Sequence, residues 1–285
     1  MRTDADTAAR KADRMMSPPL RWFDSHCHIH DPRVDRAEAV SAAAAAAVLR
    51  MVTVGCDEPT TKAAIETALA YDNVWATVGL HPHEATIGLD WIADLLTDAE
   101  ANRVVGVGEC GLDYFYEHSP RAAQITMFAK QIQLAHEHDL PLVIHTRDAW
   151  DDTFAVLRAE GMPATTIFHC FSGGADEATA CLALHDDVYL SFSGIITFKT
   201  AQDLRAAAAL TPCDRTLIET DTPYLAPIPY RGKPNRPAFV PYVGAAVAEA
   251  QGVSVEELAE STWTNSHRAF RIPEPSDEPA PDAAA

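Results

Sequence analysis

Eight short apolar runs recur along the chain. They begin at Leu20 ("LRWFDSH"), Ala47 ("AVLRMVTVGC"), Val74 ("VWATVGLH"), Arg103 ("RVVGVGE"), Leu140 ("LPLVIHT"), Ala164 ("ATTIFHC"), Asp187 ("DVYLSFSG") and Arg215 ("RTLIETD"). Val, Ile, Thr and aromatic residues dominate them. Several are apolar without interruption, as strands covered on both faces tend to be. Their starts lie 23 to 37 residues apart, which leaves room for a helix in each interval. "VDRAEAVSAAAAAA" is a strong helix former by composition. "DEPTTKAAIETALAYD" opens with acids and a proline, as a helix N-terminus should. "SPRAAQITMFAKQIQLAHEHD" offers Ser119 as a cap and Pro120 in the first turn, and Ser254 with Glu257 has capping-box spacing before a last helix. Eight strands alternating with helices predict an α/β chain folded as a single-domain (β/α)8 TIM barrel. A doubly wound open sheet is the alternative. It would usually announce a glycine-rich phosphate turn after its first strand, and here that strand ends in histidines.

Composition agrees with one large domain. The chain has 285 residues, 47% of them hydrophobic, enough for a sizeable core. The barrel is expected over residues 20–272. Residues 1–19 and the acidic stretch 273–285 are polar or Pro- and Ala-rich without an apolar period, and read as disordered tails. The six cysteines form no C-x-x-C pair, so neither a disulfide framework nor a zinc finger is signalled. No apolar leader or membrane-length run is present, which makes the cytoplasm the expected location, without a membrane partner. The net charge of −19 speaks against a broad nucleic-acid-binding surface. No obligatory protein partner is evident.

In a barrel of this kind functional groups sit at the C-terminal ends of the strands. The first run ends with His26 and His28, the third with His81 and His83, and the fourth with Glu109 and Asp113. The fifth ends at His145, the sixth at His169, and the eighth with Glu219 and Asp221. Six potential metal ligands, four His and two acids, therefore fall at equivalent places on five strands. Imidazole with carboxylate suits zinc, manganese, iron or nickel better than calcium. Six groups exceed the needs of one tetrahedral zinc, and two ions sharing a carboxylate fit the count. Cys27, Cys110 and Cys170 each adjoin one of these residues, but alternation points them into the layer between barrel and helices. His30 lies beyond the strand and is left out of the ligand set. His118, His136, His138, His185 and His267 fall in helical or loop segments and read as solvated or structural.

The ordered motifs "DSHCHIHD", "GLHPH", "GECGLDY", "IHTRD", "FHCFSG" and "ETDTPYL" resemble the TatD family of metal-dependent deoxyribonucleases, which are amidohydrolase-like barrels. The resemblance implies two divalent metal ions, zinc, magnesium or manganese. His26, His28, Glu109 and Asp221 would hold one, and Glu109 would bridge to a second held with His145 and His169. It implies hydrolysis of phosphodiester bonds in DNA, at single strands or frayed ends, by a metal-activated water, with Glu109 and Asp221 catalytic; as both a ligand and an acceptor for the water proton, Asp221 is the expected general base. Related barrels that bridge their metals with a carbamylated lysine differ, because the fourth run offers Glu109 and no lysine. On the substrate side, Arg147 is placed to hold a phosphate oxygen, His81 to assist the leaving oxygen and Tyr224 to stack on a base or sugar. Arg231 and Lys233, in "YRGKPNRP", concentrate positive charge at the mouth. That loop resembles the family's "GKRNEP" with altered basic and proline positions. The same site acting on another ester or amide, such as a tRNA ester or small metabolite, is the alternative activity. A non-enzymatic barrel held by its metals is disfavoured, since structural zinc sites are closed.

Overall fold

The alternation of β-branched runs with helix formers produces, in the computed structural model, one sheet of eight parallel strands in sequential order, described over residues 20–275. The strands are β1 (Trp22–Cys27), β2 (Val48–Val54), β3 (Val74–Val78), β4 (Val104–Asp113), β5 (Leu142–Arg147), β6 (Thr166–Phe168), β7 (Val188–Phe192) and β8 (Thr216–Ile218). All eight fall where the apolar runs place them. The fourth extends four residues further than its run, and the sixth and eighth are three residues each. Helices α1 (Arg36–Ala45), α2 (Glu58–Ala70), α3 (Ile92–Thr97), α4 (Arg121–Glu137), α5 (Trp150–Glu160), α6 (Ala175–Leu182) and α7 (Gln202–Leu210) fill the intervals, and α8 (Val240–Gln251) and α9 (Val255–Ala269) follow β8. The tail expected at residues 1–19 lies outside the described residues, as do residues 276–285 of the tail expected over 273–285; residues 273–275 carry no helix or strand. No helix among the described residues is long and apolar enough to cross a membrane.

Alternation along each strand sorts the side chains into two layers. Phe23, Val52, Val143, Ile167, Tyr189 and Leu217 form an inner cluster, with Trp75 and Val105 against it, so that every strand contributes. The end of α9 adds Trp263 and Phe270 to that cluster. The opposite strand faces, with Trp22, Met51, Phe168, Leu190 and Ile218 among them, pack against the helices. Cys27 and Cys110 are fully buried in this outer layer, as alternation requires.

The sheet closes where β1 meets β8, without a regular ladder. Asp221 N–H donates to the His26 carbonyl (2.9 Å) and His28 N–H to the Thr222 carbonyl (2.8 Å). Buried Asp24 accepts from the backbone N–H and the hydroxyl of Thr220 at 2.9 and 2.5 Å. The closure thus draws β1's histidines and Asp221 to one edge.

Caps are set by local chemistry. Asp57 and Thr60 make a reciprocal capping box on α2, and Ser254 accepts from Glu257 N–H on α9. Ser119 does not cap α4. Pro120 takes the N-cap position, and the Ser119 hydroxyl donates to the His83 carbonyl at 2.6 Å, tying that loop to the site.

Candidate metal centre

The strand ends surround one carboxylate. Glu109, on β4, is 4% exposed at the floor of a cavity of about 660 Å³. Its two oxygens face different neighbours. Oε2 lies 3.5 Å from His26 Nε2, 3.9 Å from His28 Nε2 and 3.5 Å from Cys56 Sγ. Oε1 lies 2.9 Å from His169 Nε2, 3.0 Å from His145 Nδ1 and 3.4 Å from His81 Nε2. Asp221 Oδ1 completes the first group, 3.3 Å from His28 Nε2 and 3.9 Å from His26 Nε2. All six ligands expected from the sequence are therefore brought together, in two groups that share Glu109.

The outer nitrogens decide what each ring presents inward. His28 Nδ1 donates to the Val54 carbonyl at 2.7 Å. His145 Nε2 donates to Asp113 Oδ2 at 3.0 Å, and His169 Nδ1 to Glu219 Oε1 at 3.0 Å. A neutral imidazole carries one N–H, so each of these rings turns a lone pair toward a carboxylate oxygen. Lone pairs facing anionic oxygens repel unless a proton or cation stands between them. Burial pulls His169 down, but Glu109 and Glu219 overcome it and raise it well above the ordinary histidine range. Neither nitrogen of His26, 1% exposed, has a hydrogen-bond partner. Zinc–nitrogen and zinc–oxygen bonds of about 2.0–2.2 Å at tetrahedral angles set N···O edges near 3.3–3.5 Å. Of the contacts to His26 and His28, those of His26 to Glu109 (3.5 Å) and of His28 to Asp221 (3.3 Å) fall on that value, and the two crossed ones, at 3.9 Å, are longer. The donor set fits cations held between these groups.

His81 differs. It lies beside Glu109 on the cavity floor. Its Nδ1 accepts the His83 backbone N–H at 3.1 Å, so in the neutral ring the inward Nε2 carries the proton. It is therefore a hydrogen-bond donor toward Glu109 and not a lone pair.

The supporting partners were visible as strand-end acids but carried no assigned role. Asp113 accepts from both His145 and His83 (3.1 Å), and Glu219 also accepts the Cys170 N–H at 2.8 Å. Such partners fix ring orientation and commonly control metal affinity by 10–100-fold. Asp113→Asn should accordingly weaken the Oε1-side site by about 10–100-fold in competition with a chelator. Unchanged affinity would remove Asp113 from the orienting role.

Other expectations are corrected. Cys170 does not face the helices. β6 stops at Phe168, and a left-handed backbone at Cys170 (φ 42°) turns the thiol to the cavity wall, 3.2 Å from Ser193 Oγ. His118 is solvent-exposed, in keeping with its reading as solvated, though it stands beside the site, with its ring 4.6 Å from that of His83 and parallel to Tyr116. Cys56 was missed, because its place after β2 showed no ligand motif. His30 is buried past β1, its Nδ1 2.9 Å from Thr53 Oγ1.

Arg147 and Tyr224 line the cavity. The Arg147 guanidinium lies 3.9 Å from the Phe115 ring centroid and 4.9 Å from that of Tyr116. Arg33 donates to the Tyr224 hydroxyl at 2.7 Å. Arg231 and Lys233 stand outside the cavity. Arg231 lies over Phe198 at 4.4 Å, and Lys233 lines a neighbouring cleft of about 360 Å³ with Arg33 and Asn235. Stacking of Tyr230 on Phe239, with ring centroids 4.0 Å apart, anchors that loop to one side of the mouth.

A parallel eight-stranded barrel whose strand ends gather imidazoles around one buried carboxylate has the architecture of a metal-dependent hydrolase. The chain belongs to the TatD family: residues 23–271 match the family model of the TatD related DNases. It is 41% identical over 257 residues to a protein of Bacillus subtilis (strain 168) named an uncharacterized metal-dependent hydrolase, YabD, covering 88% of this chain and 99% of that one. It is 38% identical over 271 residues to TatD of Mycobacterium tuberculosis (strain H37Rv), also named an uncharacterized metal-dependent hydrolase, covering 87% and 97%. Among solved structures, YJJV, a TatD homolog from Escherichia coli K12, superposes with a TM-score of 0.82 at 29% identity, covering 89% of this chain and 99% of that chain. An organophosphorus hydrolase variant from Deinococcus radiodurans, at 14% identity and a TM-score of 0.56 over 88% and 93% of the two chains, shares the fold alone. This chain is thus a metal-dependent hydrolase of the TatD family.

Proposed function

We propose that the chain hydrolyses phosphodiester bonds in DNA, at single strands or frayed ends, with two divalent cations. The observation that carries this is the division of Glu109's oxygens between two donor groups. The description of the matched family as TatD related DNases supports the substrate class.

Two such cations lower the pKa of water toward neutrality and offset negative charge on phosphate oxygens. His26, His28 and Asp221 would hold one on the Oε2 side of Glu109, and His145 and His169 the other on the Oε1 side. Asp221 Oδ1 accepts the proton of the attacking water. His81 Nε2–H, which faces Glu109 in the substrate-free site, would turn to the leaving oxygen. Arg147, steadied by Phe115 and Tyr116, holds a non-bridging phosphate oxygen. Tyr224, 48% exposed, offers a ring face to a base.

One observation favours a second reading, hydrolysis of a small ester or amide. Among the described residues lining the cavity, Arg147 is the sole arginine or lysine, so little is built to hold a long polyanion. Hydrolysis assays on single- and double-stranded DNA, RNA and p-nitrophenyl esters, with and without EDTA, separate the two. EDTA-sensitive cleavage of single-stranded DNA is expected, and turnover of esters with no cleavage of DNA would overturn the nuclease reading. Binding of a short single strand by metal-loaded Asp221→Asn protein adds a second measure. Arg147, with Arg231 and Lys233 touching phosphates further along, gives a slope of log K against log salt of about −1.4 to −2. Changing Arg231 and Lys233 to Ala should flatten it by roughly one unit. An unchanged slope would remove that loop from the substrate path.

A further inference from the structure

Cys56 faces the first donor group from just beyond the C-terminal end of β2. Its Sγ is 3.5 Å from Glu109 Oε2, the oxygen that His26 and His28 also face. The ligating atoms of His28, Cys56 and Glu109 lie within 4.8 Å of one another. The thiol does not stand alone as evidence. The His26 ring, neither of whose nitrogens has a hydrogen-bond partner, lies 3.5 Å from the same Oε2, so a buried nitrogen and the Cys56 thiol both converge on one oxygen.

Resting on the reading of this cavity as a metal centre, we propose that Cys56 is a thiolate ligand of the ion on the Oε2 side. That site would then be one for a thiophilic ion of the zinc type, in preference to magnesium or manganese. Distance supports this. A Zn–S bond of about 2.3 Å and a Zn–O bond of about 2.0–2.2 Å at a tetrahedral angle place sulfur and oxygen roughly 3.5–3.7 Å apart. The observed separation is 3.5 Å. In the structure the Cys56 thiol donates to Glu109. On coordination the S–H bond breaks, the sulfur–metal bond forms and the proton leaves to water in the cavity. Soft sulfur then biases an otherwise nitrogen-and-oxygen site, since hard cations gain little from thiolate.

The backbone holds Cys56 in place. Its N–H donates to Thr60 Oγ1 at 2.9 Å, and its carbonyl accepts from His81 N–H at 2.8 Å. Its neighbour Gly55 accepts the Glu109 N–H at 3.3 Å, so Cys56 and Glu109 are held to each other through the backbone. Gly55 is required there, because a Cβ would come within 2.2 Å of Thr61 Oγ1. Cys170, the other thiol on the cavity wall, has Ser193 as its neighbour and lies outside these donor groups.

Cobalt(II) substitution tests the assignment without reference to turnover. Wild-type protein loaded with cobalt should show an intense near-ultraviolet thiolate-to-metal band. Cys56→Ser should bind cobalt without that band, and Cys170→Ser should keep it. Zinc affinity should fall by roughly tenfold or more in Cys56→Ser while manganese affinity changes little. Alkylation by iodoacetamide, mapped by mass spectrometry, gives a readout on unmutated protein: Cys56 should react after chelation and be protected by zinc. Cobalt bound with no such band, a band persisting in Cys56→Ser, or alkylation of Cys56 unaffected by zinc would overturn the thiolate assignment alone. Failure of wild-type protein to bind cobalt or zinc at all would overturn it together with the metal-centre reading.

Discussion

Glu109→Gln should leave the protein with at least one ion fewer per chain and a turnover lower on the order of a hundredfold or more, because ligand and nucleophile are disturbed together. The amide keeps the volume of the carboxylate. It loses the charge that would offset the two proposed cations, and one of its two terminal heavy atoms becomes an N–H2 donor without a lone pair for a metal. Both donor groups share this carboxylate, since Oε1 faces His145 and His169 while Oε2 faces His26 and His28. Metal content by mass spectrometry, read beside turnover, decides the matter. Two ions retained at full activity would show that Glu109 does not join the two groups.

Gly111→Ala should damage the same centre through the backbone. Gly111 lies in β4 at φ 135°, paired in register with His145. A Cβ there would come 2.0 Å from the His145 carbonyl oxygen. No flexible side chain can yield, so β4 and β5 must part or the residue must change conformation. Overpacking of about 1–3 kcal/mol and backbone strain of similar size combine to roughly 2–6 kcal/mol. Urea denaturation of the metal-free protein measures the loss, and metal titration should show the Oε1 side weakened more than the Oε2 side. A cost below about 1 kcal/mol would mean that the strands separate there with ease.

The barrel was legible because each strand is covered on both faces and so reads as an unbroken apolar run, with a helix-forming interval after it. The gathering of the six expected residues at one place was legible for a related reason. A parallel barrel exposes only the strand ends, and polar residues at the end of an apolar run have few other uses. What escaped depends on the chain beyond the strands. Cys170 follows a three-residue strand, so alternation had nothing left to act on. Cys56 sits in a turn whose direction is set by Gly55 and the α2 cap. The proton on His81 is fixed by a backbone N–H two residues away, a contact that residue types do not reveal. Arg231 and Lys233 were expected at the mouth from charge alone, and the aromatic contacts of that loop carry it aside.

The seam between β1 and β8 ties the two ends of the barrel's sequence together. Asp24 and Thr220 are 196 residues apart, and the donors His26 and Asp221 span nearly the same interval across that seam. An ion held between them closes almost the longest loop the barrel can offer, and closure entropy grows, though slowly, with loop length. Such an ion acts on the chain as a staple between its first strand and its last. No N-terminal fragment that stops short of β8 carries the complete donor set, so the centre can come into being only when the last strand is in place.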